Sequence, residues 1–353
     1  MNKKSVLIYG EYSGYGKSLV KGFLEIGYTA QVLSFSGDGF KKINTGMQLK
    51  GKNKLTKLIS LFLLIPKVLS YKNILVMNPD FFKPIFLGPL IFPLLKLMNK
   101  NIILLCCGDD VEFIKQGKLG NIENWPYADI NLPKKNYFNR KIDILIHYAI
   151  ASSSNKIIPV MYDYYKAWSL SQYKNKLTKT IPLACDGSIK KIKKKNFYKE
   201  KIVIMHGINR EDFKGSKIIK QALQEIKEKY KDRVEILLPE RLPLKEYLQL
   251  MEKVDIAIDQ TKGNSYGMNA IYSMLSGHIV LAPANDLFKS NIKIKNCPVI
   301  SINNTPKSII DALENLILAP DKIYPKKLET QQYAIKLHNC KNIAIKIDRY
   351  LKI

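Results

Sequence analysis

DQTKGNSYGMNAIYSMLSGHIVLA, residues 259–282, is the stretch that decides the fold class of this 353-residue chain. Asp259 closes a short apolar strand, and the loop after it contains Gly263 and Gly267. The pattern predicts a helix from about Tyr266 to Leu275, a glycine that ends it, and a second strand, HIVLA. Glycines before a helix expose backbone N–H groups at the positive end of its dipole, which favours anions. The stretch is therefore either a phosphate-binding site or an ordinary strand–helix–strand turn that needs glycine for geometry alone.

Strand and helix signals alternate through both halves of the chain. Apolar runs predict strands at 5–10, 29–35, 73–78, 101–107, 149–153, 201–207, 234–239, 255–259, 278–282 and 298–302. Helices are expected at 14–27, 55–69, 84–98, 137–147, 160–168, 216–230, 243–252, 266–275 and 306–318. Apolar strands separated by helices indicate parallel sheets that are covered on both faces, so we predict an α/β fold.

The length of the chain favours two domains over a single core. We predict a Rossmann-like acceptor-side domain at 1–183, a basic linker at 184–200, a Rossmann-like nucleotide-sugar domain at 201–328 and a C-terminal helix at 329–353 that returns toward the first domain. Two such sheets facing each other form a cleft at the carboxyl ends of their strands, where ligands of open α/β sheets bind.

The net charge is +27, and most of the basic excess lies in the first half. Residues 1–200 contain 32 lysines and arginines against 13 acidic residues, an excess of 19. Such a field attracts nucleic acid, anionic lipid head groups or phosphorylated substrates. Only five of the basic residues are arginine, on which base readout relies, so no nucleic-acid partner is expected. The run KKIKKK at 190–195 is interpreted as a solvated linker rather than a binding tail.

Two apolar runs, KLISLFLLIPKVLS at 57–70 and IFLGPLIFPLLKLM at 85–98, are too short to span a bilayer, and both contain proline. Lysines flank each run. Each therefore fits either a helix that lies on an anionic bilayer surface or a buried crossover helix of an α/β domain.

The five cysteines and four histidines follow no metal-binding spacing. An odd cysteine count without a signal peptide is typical of a reducing cytoplasm. We therefore expect no metal site, no cofactor, and a cytoplasmic protein that could be peripheral on the inner face of the cell membrane.

Three further loops follow predicted strands. GEYSGYGKS at 10–18 resembles a P-loop, but it has one residue too many before GlyLys and puts Glu11 beside the phosphates, so we interpret Gly14–Gly16 as a turn that starts the first helix. In CGDDVEF, 107–113, Asp110 could orient or deprotonate a sugar hydroxyl, and Asp109 could cap the next helix.

The third loop, HGINREDFKGS at 206–216, carries two cations beside a helix start. Arg210 and Lys214 could stabilise a leaving diphosphate there without a metal. The alternative is a surface loop whose charges lie in water.

KGSKII at 214–219 and YGMNAIYSMLSGHIVLAP at 266–283 resemble the GT-B glycosyltransferases, in particular the bacterial family 4 ("group 1") enzymes. That family has a LysGly pair opening the first helix of its donor domain, and later a Tyr/PheGly loop, a helix ending in a small residue and glycine, and a strand. In the first half, Gly108–Val111 is similar to the family's acceptor-side segment, with its aspartate at Asp110. Gly14 and Gly16 match its early glycine-rich loop.

The resemblance implies a hexosyltransferase-type enzyme that uses a nucleotide-sugar, retains anomeric configuration and needs no metal. By this resemblance, Lys214, Arg210 and the amides of Ser265, Tyr266, Gly267 and Met268 would hold the leaving diphosphate. Asn264, Tyr266 and Tyr272 would line the donor pocket. Asp109, Asp110, Gly14, Tyr15 and Gly16 would face the acceptor.

The family's paired donor-site glutamates are Asn264 and Tyr272 in this chain. An amide and a hydroxyl accept fewer hydrogen bonds than carboxylates, so ribose binding should weaken by a few kcal/mol. We therefore expect a glycosyltransferase for a cell-surface polysaccharide or lipid-linked glycan. The alternative is a catalytically degenerate nucleotide-sugar-binding or scaffold protein of the same fold.

Overall fold

The computed structural model describes residues 4–34, 46–51, 53–82, 88–132, 140–240, 242 and 244–351. The chain forms two compact units. Unit 1 comprises Met1–Ile122, Leu132–Asp186 and Asn339–Ile353, and unit 2 comprises Glu123–Asn131 and Gly187–His338. The segment Glu123–Asn131, which the sequence placed in the first domain, thus belongs to the second unit, together with most of the basic linker.

A six-stranded parallel sheet forms the centre of unit 1. Its strands are β1 (Ser5–Tyr9), β2 (Thr29–Ser34), β3 (Met47–Gln48), β4 (Asn73–Val76), β5 (Asn101–Cys106) and β6 (Lys156–Pro159), in the order β3-β2-β1-β4-β5-β6. The helices are α1 (Tyr15–Glu25), α2 (Lys54–Leu69), α3 (Gly88–Leu97), α4 (Val111–Lys118), α5 (Lys141–Ser153) and α6 (Tyr162–Ser169), with 3-10 turns at Pro79–Phe82 and Lys174–Lys176. Strands β4 and β5 are buried along their whole length, as their apolar runs predict.

Unit 2 contains a five-stranded parallel sheet. Its strands are β7 (Ile202–Met205), β8 (Val234–Leu237), β9 (Ile256–Ile258), β10 (Ile279–Ala282) and β11 (Ile300–Ser301), in the order β11-β10-β9-β7-β8. The helices are α7 (Glu211–Lys214), α8 (Ser216–Lys229), α9 (Leu244–Met251), α10 (Met268–Leu275), α11 (Asp286–Ile292), α12 (Pro306–Ile317) and α13 (Ile323–Leu337), with a 3-10 turn at Pro320–Lys322. Two parallel sheets confirm the predicted α/β class.

Strands β7 and β9 are parallel neighbours at the centre of the unit 2 sheet. The loops that follow them start at His206 and at Asp259. Because the carboxyl ends of parallel strands meet at one edge of a sheet, these two loops emerge side by side. This edge carries most of the donor-side residues expected from the sequence.

The C-terminal stretch 329–353 was predicted as one helix, and this prediction is wrong. α13 ends at Leu337, and a second helix, α14 (Cys340–Asp348), begins where Asn339 accepts a hydrogen bond from the Asn342 amide over 3.0 Å. Only α14 belongs to unit 1, where it packs on α1 so closely that a Cβ on Gly22 would lie 2.1 Å from the Cys340 carbonyl oxygen. An asparagine cap thus outweighs the weak apolar period on which the single helix was predicted.

The strand predicted at 149–153 is also wrong, because these residues complete α5. Alanine and serine fill most of this stretch, whereas the β-branched pair Ile157 and Ile158 lies in the true strand, β6. The predicted helices at 84–98, 137–147 and 243–252 begin on residues outside the described ones, and α11 was not predicted. No helix in the described part of the chain has both the length and the apolar character needed to cross a bilayer.

Candidate functional site

A buried ion pair joins the two loops at the carboxyl edge of the unit 2 sheet. Lys214, the last residue of α7, has its Nζ 2.9 Å from Oδ1 of Asp259, the residue after β9. The two residues are 7% and 3% exposed. The Thr261 amide donates to the Lys214 carbonyl over 3.0 Å and ties the loops together. Lys214 is therefore not a surface charge in water, which was one alternative for this loop.

The first turn of α10 reaches the same carboxylate oxygen. Asn269 donates from Nδ2 to Oδ1 of Asp259 over 3.1 Å. Burial by itself raises the pKa of Asp259, but the charge and hydrogen bond of Lys214 more than offset it, so the pKa lies below its ordinary value. The carboxylate is charged at neutral pH, and it holds Lys214 beside the start of α10.

Glycines precede both helices that begin at this edge. α8 follows Gly215 and α10 follows Gly267, and within the described residues no side chain caps either helix. Gly215 has a φ of 72°, and a Cβ there would lie 2.1 Å from Oγ1 of Thr261, so this turn requires glycine. A Cβ on Gly267 would meet nothing within 4 Å. Open space and uncapped helix amides thus occur together at Gly267, which favours an anion.

The ring of His206 lies between the end of β9 and the start of α8 and forms hydrogen bonds to both. Its ring is fully buried, with Nδ1 2.9 Å from the Ile258 carbonyl oxygen and Nε2 2.8 Å from Oγ of Ser216. Burial lowers the pKa of His206 to about 4, so the ring is neutral near pH 7. A carbonyl only accepts, so Nδ1 donates to it and Nε2 accepts from the Ser216 hydroxyl. His206 therefore fixes the start of α8 relative to β9.

Arg210 is held by aromatic side chains. Its guanidinium carbon lies 3.8 Å from the centre of the Phe213 ring, and its Nη2 donates to the Tyr127 hydroxyl over 2.6 Å. Tyr127 belongs to the segment Glu123–Asn131 and packs edge-on against Phe213. This segment also accepts a hydrogen bond from the Gly263 amide at the Asn124 carbonyl, over 2.8 Å. A piece of the first half of the chain thus supports the donor-side loops.

Asn264 is fully buried and faces that segment. Its Nδ2 donates to the Glu123 carbonyl over 2.6 Å. Its Oδ1 accepts from the side-chain amides of Asn124 and Asn285 over 3.1 and 2.7 Å. The residue that replaces the first glutamate is therefore engaged in holding the loop.

The remaining donor-side residues are divided between the helix start and the core. Tyr266 is buried and its hydroxyl lies 3.0 Å from the hydroxyl of Tyr333 and from Nε2 of His338, so its side chain packs in unit 2. Ser265 and Met268 are buried beside Gly267, and Tyr272 lies half-buried one turn further along α10. The first turn of α10, which follows Gly267, is joined to Lys214 through Asn269 and Asp259.

The glycine-rich loop of unit 1 is occupied by its own glutamate. Glu11 is 4% exposed; its Oε1 accepts from the amides of Gly14 and Gly16 over 3.0 and 3.2 Å, and its Oε2 accepts from the Lys17 amide over 2.8 Å. The side chain of Tyr15 lies fully in the core. The amides that a P-loop would offer to phosphate are therefore bound to a carboxylate within the loop.

The side chain of Asp110 caps the start of α4 and is buried there. One carboxylate oxygen accepts from the Phe113 amide over 2.8 Å and the other from the Trp168 indole over 2.9 Å, and the residue is 1% exposed. Burial raises the pKa of Asp110 to about 7, although both hydrogen bonds oppose the shift. The cap expected from Asp109 is thus made by its neighbour, while Asp109 is half-buried and its carbonyl accepts from Asn78.

Several of these partners were not expected from the sequence. Asp259 was read only as a strand end, and the signal for its role was a lysine on the loop after the neighbouring strand, because a buried lysine requires an acid. Tyr127, Trp168 and Asn269 gave no local signal. Among the described residues no group of three or more His, Cys, Asp or Glu side chains could hold a metal ion.

Solved structures that match the whole chain decide the fold. HepE from Anabaena in complex with UDP-glucose matches with a TM-score of 0.60 at 13% identity, over 98% of each chain. Sucrose-phosphate synthase from Thermosynechococcus elongatus matches with a TM-score of 0.58 at 10% identity, over 98% of each chain. The chain has the GT-B fold.

A putative UDP-N-acetylglucosamine 2-epimerase from Listeria monocytogenes matches this GT-B chain with a TM-score of 0.54 at 11% identity, over 98% of this chain and 95% of the other. A scan against models of protein families and a search of the curated proteins find no match. Because a synthase and a putative epimerase share the GT-B fold with this chain, its activity is argued from the site.

Proposed function

We propose that the chain is a glycosyltransferase that moves a sugar from a nucleotide-sugar to a cell-surface polysaccharide or lipid-linked glycan. The observation that carries the proposal is the meeting of Lys214 and the first turn of α10 on one oxygen of Asp259. An ammonium has three donors, so the bond to Asp259 leaves two for phosphate oxygens. Lys214 and the amides after Gly267 would then stabilise the leaving diphosphate.

Arg210 would add a second cation near the diphosphate. Its stacking on Phe213 and its bond to Tyr127 hold the guanidinium in place. Charge stabilisation by Lys214, Arg210 and backbone amides fits a reaction without an obligatory metal, and the resemblance to family 4 enzymes supports retention of configuration. In this proposal Asp109, Asp110 and the Gly14–Gly16 loop remain on the acceptor side.

A thermal-shift panel of nucleoside diphosphates and their sugars tests donor binding, because a ligand that binds only the folded state raises its melting temperature. UDP and UDP-glucose are tested first, since HepE was solved with both. Lys214→Ala and the milder Lys214→Gln should abolish the shift. Lys220→Ala is the matched control, because Lys220 is on the next helix and its ion pairs with Glu211 and Glu240 are exposed. Undiminished shifts in both Lys214 variants would remove the phosphate assignment.

The second candidate is a catalytically degenerate nucleotide-sugar-binding or scaffold protein. It is favoured by Asn264, whose amide is committed to Glu123, Asn124 and Asn285 and so is not turned to a donor. Both candidates bind the donor, and turnover separates them. Release of free nucleoside diphosphate in the presence of an extract of acceptor glycans is expected for the enzyme, and its absence despite donor binding supports the scaffold.

We further propose that unit 1 associates with an anionic membrane that carries the acceptor. α2 buries Leu61 and Val68, but exposes Leu55, Ile59, Phe62 and Leu63 by 65%, 52%, 63% and 73%. These four lie on one face by helical spacing, with Lys57 and Lys67 on the same helix. An exposed apolar face beside lysines is typical of helices that lie in a bilayer interface.

Sedimentation with vesicles tests this association. The chain should sediment with vesicles that contain anionic lipid and less with neutral ones. Phe62→Glu/Leu63→Glu should release it. The control, Leu119→Glu/Leu318→Glu, changes two equally exposed leucines outside α2 and should have no effect. Equal sedimentation with neutral and anionic vesicles would reject the proposal.

A further inference from the structure

A cavity lies at the amino edge of the unit 2 sheet, opposite the edge that carries Lys214. Its volume is about 550 Å³, within the range of small-molecule sites. It is lined by Val203 in β7, by Asp255 before β9, by the turn Ser276–His278, by Lys327 and by the linker lysines. Asp255 and Asp259 flank the three residues of β9, so the two sites are about 13 Å apart along one strand.

The basic linker packs against this edge through Ile192 and its backbone, while Lys191, Lys193 and Lys194 are exposed, as a solvated linker requires. The Lys190 amide donates to the Leu275 carbonyl over 3.3 Å, and Gln331 donates from Nε2 to the Lys190 carbonyl over 2.7 Å. Ile192 packs against Gly277, where a Cβ would lie 2.5 Å from its Cγ1. These contacts form one wall of the cavity from a run that was interpreted as a solvated linker.

The charges that meet at Asp255 do not balance. Asp255, 3% exposed, accepts from Nζ of Lys327 over 2.7 Å, and from Nζ of Lys195 and the Val203 amide over 2.8 and 3.0 Å. Burial alone raises the pKa of Asp255, but the two lysines more than offset it, so the carboxylate is charged. Two ammonium groups therefore share one carboxylate, and Lys327 is only 7% exposed. Lys195 is partly exposed, with 19% of its side chain accessible, and the net positive charge of the group attracts an anion.

The rim adds further positive charge. Lys191, Lys193 and Lys253 line the cavity, are exposed, and form no ion pair with any described residue. Among the acidic residues of the lining, Glu252 is already paired with Lys190. The lining as a whole contains six lysines against the acidic residues Glu200, Glu235, Glu252 and Asp255.

His278 supplies an unused acceptor in the same wall. Its ring is 1% exposed, and Nε2 lies 2.8 Å from the Met251 carbonyl oxygen, to which it donates. Nδ1 is left as an acceptor and has no hydrogen-bond partner among the described residues. Buried polar atoms are rarely unsatisfied, so a ligand hydroxyl that reached this nitrogen would be favoured.

We propose that this cavity binds a small phosphate monoester of about sugar size. The phosphoryl group would lie against Lys327 and the linker lysines, and the hydroxyls would lie toward the His278 wall. The site is distinct from the proposed donor site, because it lies at the other end of β9. It therefore does not depend on the proposed transferase activity.

Calorimetric titration of the whole chain at low ionic strength tests the site with inorganic phosphate, ribose 5-phosphate and ribose as probes. Ribose 5-phosphate should bind more tightly than inorganic phosphate, and ribose should not bind. Lys191→Glu/Lys193→Glu should weaken binding by about tenfold or more, because two attractive charges become repulsive. Lys327→Gln, which removes one of the two ammonium groups at Asp255, should also weaken it.

Two controls locate the binding. Lys194→Glu/Lys199→Glu makes the same charge change in the same segment outside the cavity lining and should alter affinity by less than about twofold. Lys214→Ala should also leave it within about twofold, because that lysine lies at the far edge of the sheet. Failure of the wild-type chain to bind ribose 5-phosphate would overturn the proposal. The proposal would also be overturned if Lys191→Glu/Lys193→Glu and Lys194→Glu/Lys199→Glu weakened binding of ribose 5-phosphate equally. Weakening by Lys214→Ala alone would overturn it too.

Discussion

Helices α1 in unit 1 and α10 in unit 2 both begin after a strand and a glycine-rich loop, yet their first turns differ in what they bind. At α1 the amides of Gly14, Gly16 and Lys17 are bound to the Glu11 carboxylate. At α10 no described side chain caps the helix, and Gly267 faces open space. The same local motif is thus closed by an internal anion in one unit and left open for an external one in the other.

Neighbouring helices extend the contrast. In unit 1 Asp110 closes the start of α4, while in unit 2 Gly215 leaves the start of α8 without a side-chain cap. Lys214, the residue before Gly215, adds a cation near the start of α10. A glycine-rich turn therefore indicates an anion site only when no carboxylate of the chain already fills it.

Removing Glu11 should have the largest effect on stability. Glu11→Ala leaves three buried amides without their charged acceptor and should lower the free energy of unfolding by about 5 kcal/mol. Inorganic phosphate should restore part of the loss by entering the emptied turn. Chemical denaturation with and without phosphate measures both effects. If phosphate stabilises the variant no more than wild type, the first turn of α1 is not an anion-binding site.

Asp110 should make the stability of unit 1 depend on pH. Its pKa is about 7 in the fold and near 3.8 in the unfolded chain, so the folded state binds more protons between these values. The contribution of Asp110 to stability is full below pH 4, falls by about 4 kcal/mol as pH rises to 7, and is constant above. In Asp110→Asn this fall should be absent, apart from a pH-independent offset. Parallel pH profiles of the two proteins would contradict the assignment.

Lys214 should be the next largest contributor. Lys214→Ala leaves Asp259 buried and unpaired, which costs about 3 kcal/mol at neutral pH. The deficit should shrink as pH falls, because Asp259 can then take up a proton. Lys214→Met/Asp259→Asn should recover most of the stability, and the double-mutant cycle measures the coupling. Additive losses would mean that the two side chains do not depend on each other.

A carboxylate placed at the start of α10, like that of Glu11 at the start of α1, should raise stability but weaken nucleotide binding. Gly267→Asp adds a carboxylate where nothing lies within 4 Å of the new Cβ, and should weaken nucleotide binding by about 2 kcal/mol through charge repulsion. Stability should rise by about 0.5 kcal/mol, because aspartate is a good N-cap. Gly267→Asn caps without charge and is the control. Equal affinity of both variants and wild type would place the phosphates elsewhere.

Much of the fold followed from local pattern, because a buried parallel strand must be apolar along its whole length. β5 and β7 were predicted to within two residues for this reason. The strand expected at 149–153 failed because small residues are compatible with either structure, and the long-range pairing of β6 with β5 determined the strand. The break at Asn339 was missed because one capping side chain outweighs a weak period.

The sequence by itself determined the α/β class, the alternation of strands and helices and the presence of glycine-rich turns. These features depend on the periodicity of apolar residues and on the backbone freedom of neighbouring residues. Only the tertiary structure decided which turns are open. Glu11 fills one and Asp259 holds Lys214 beside another, and the linker lysines line a cavity with Lys327. Each of these outcomes depends on the partner that a charge finds, and such partners are brought close by strand order rather than by position in the chain.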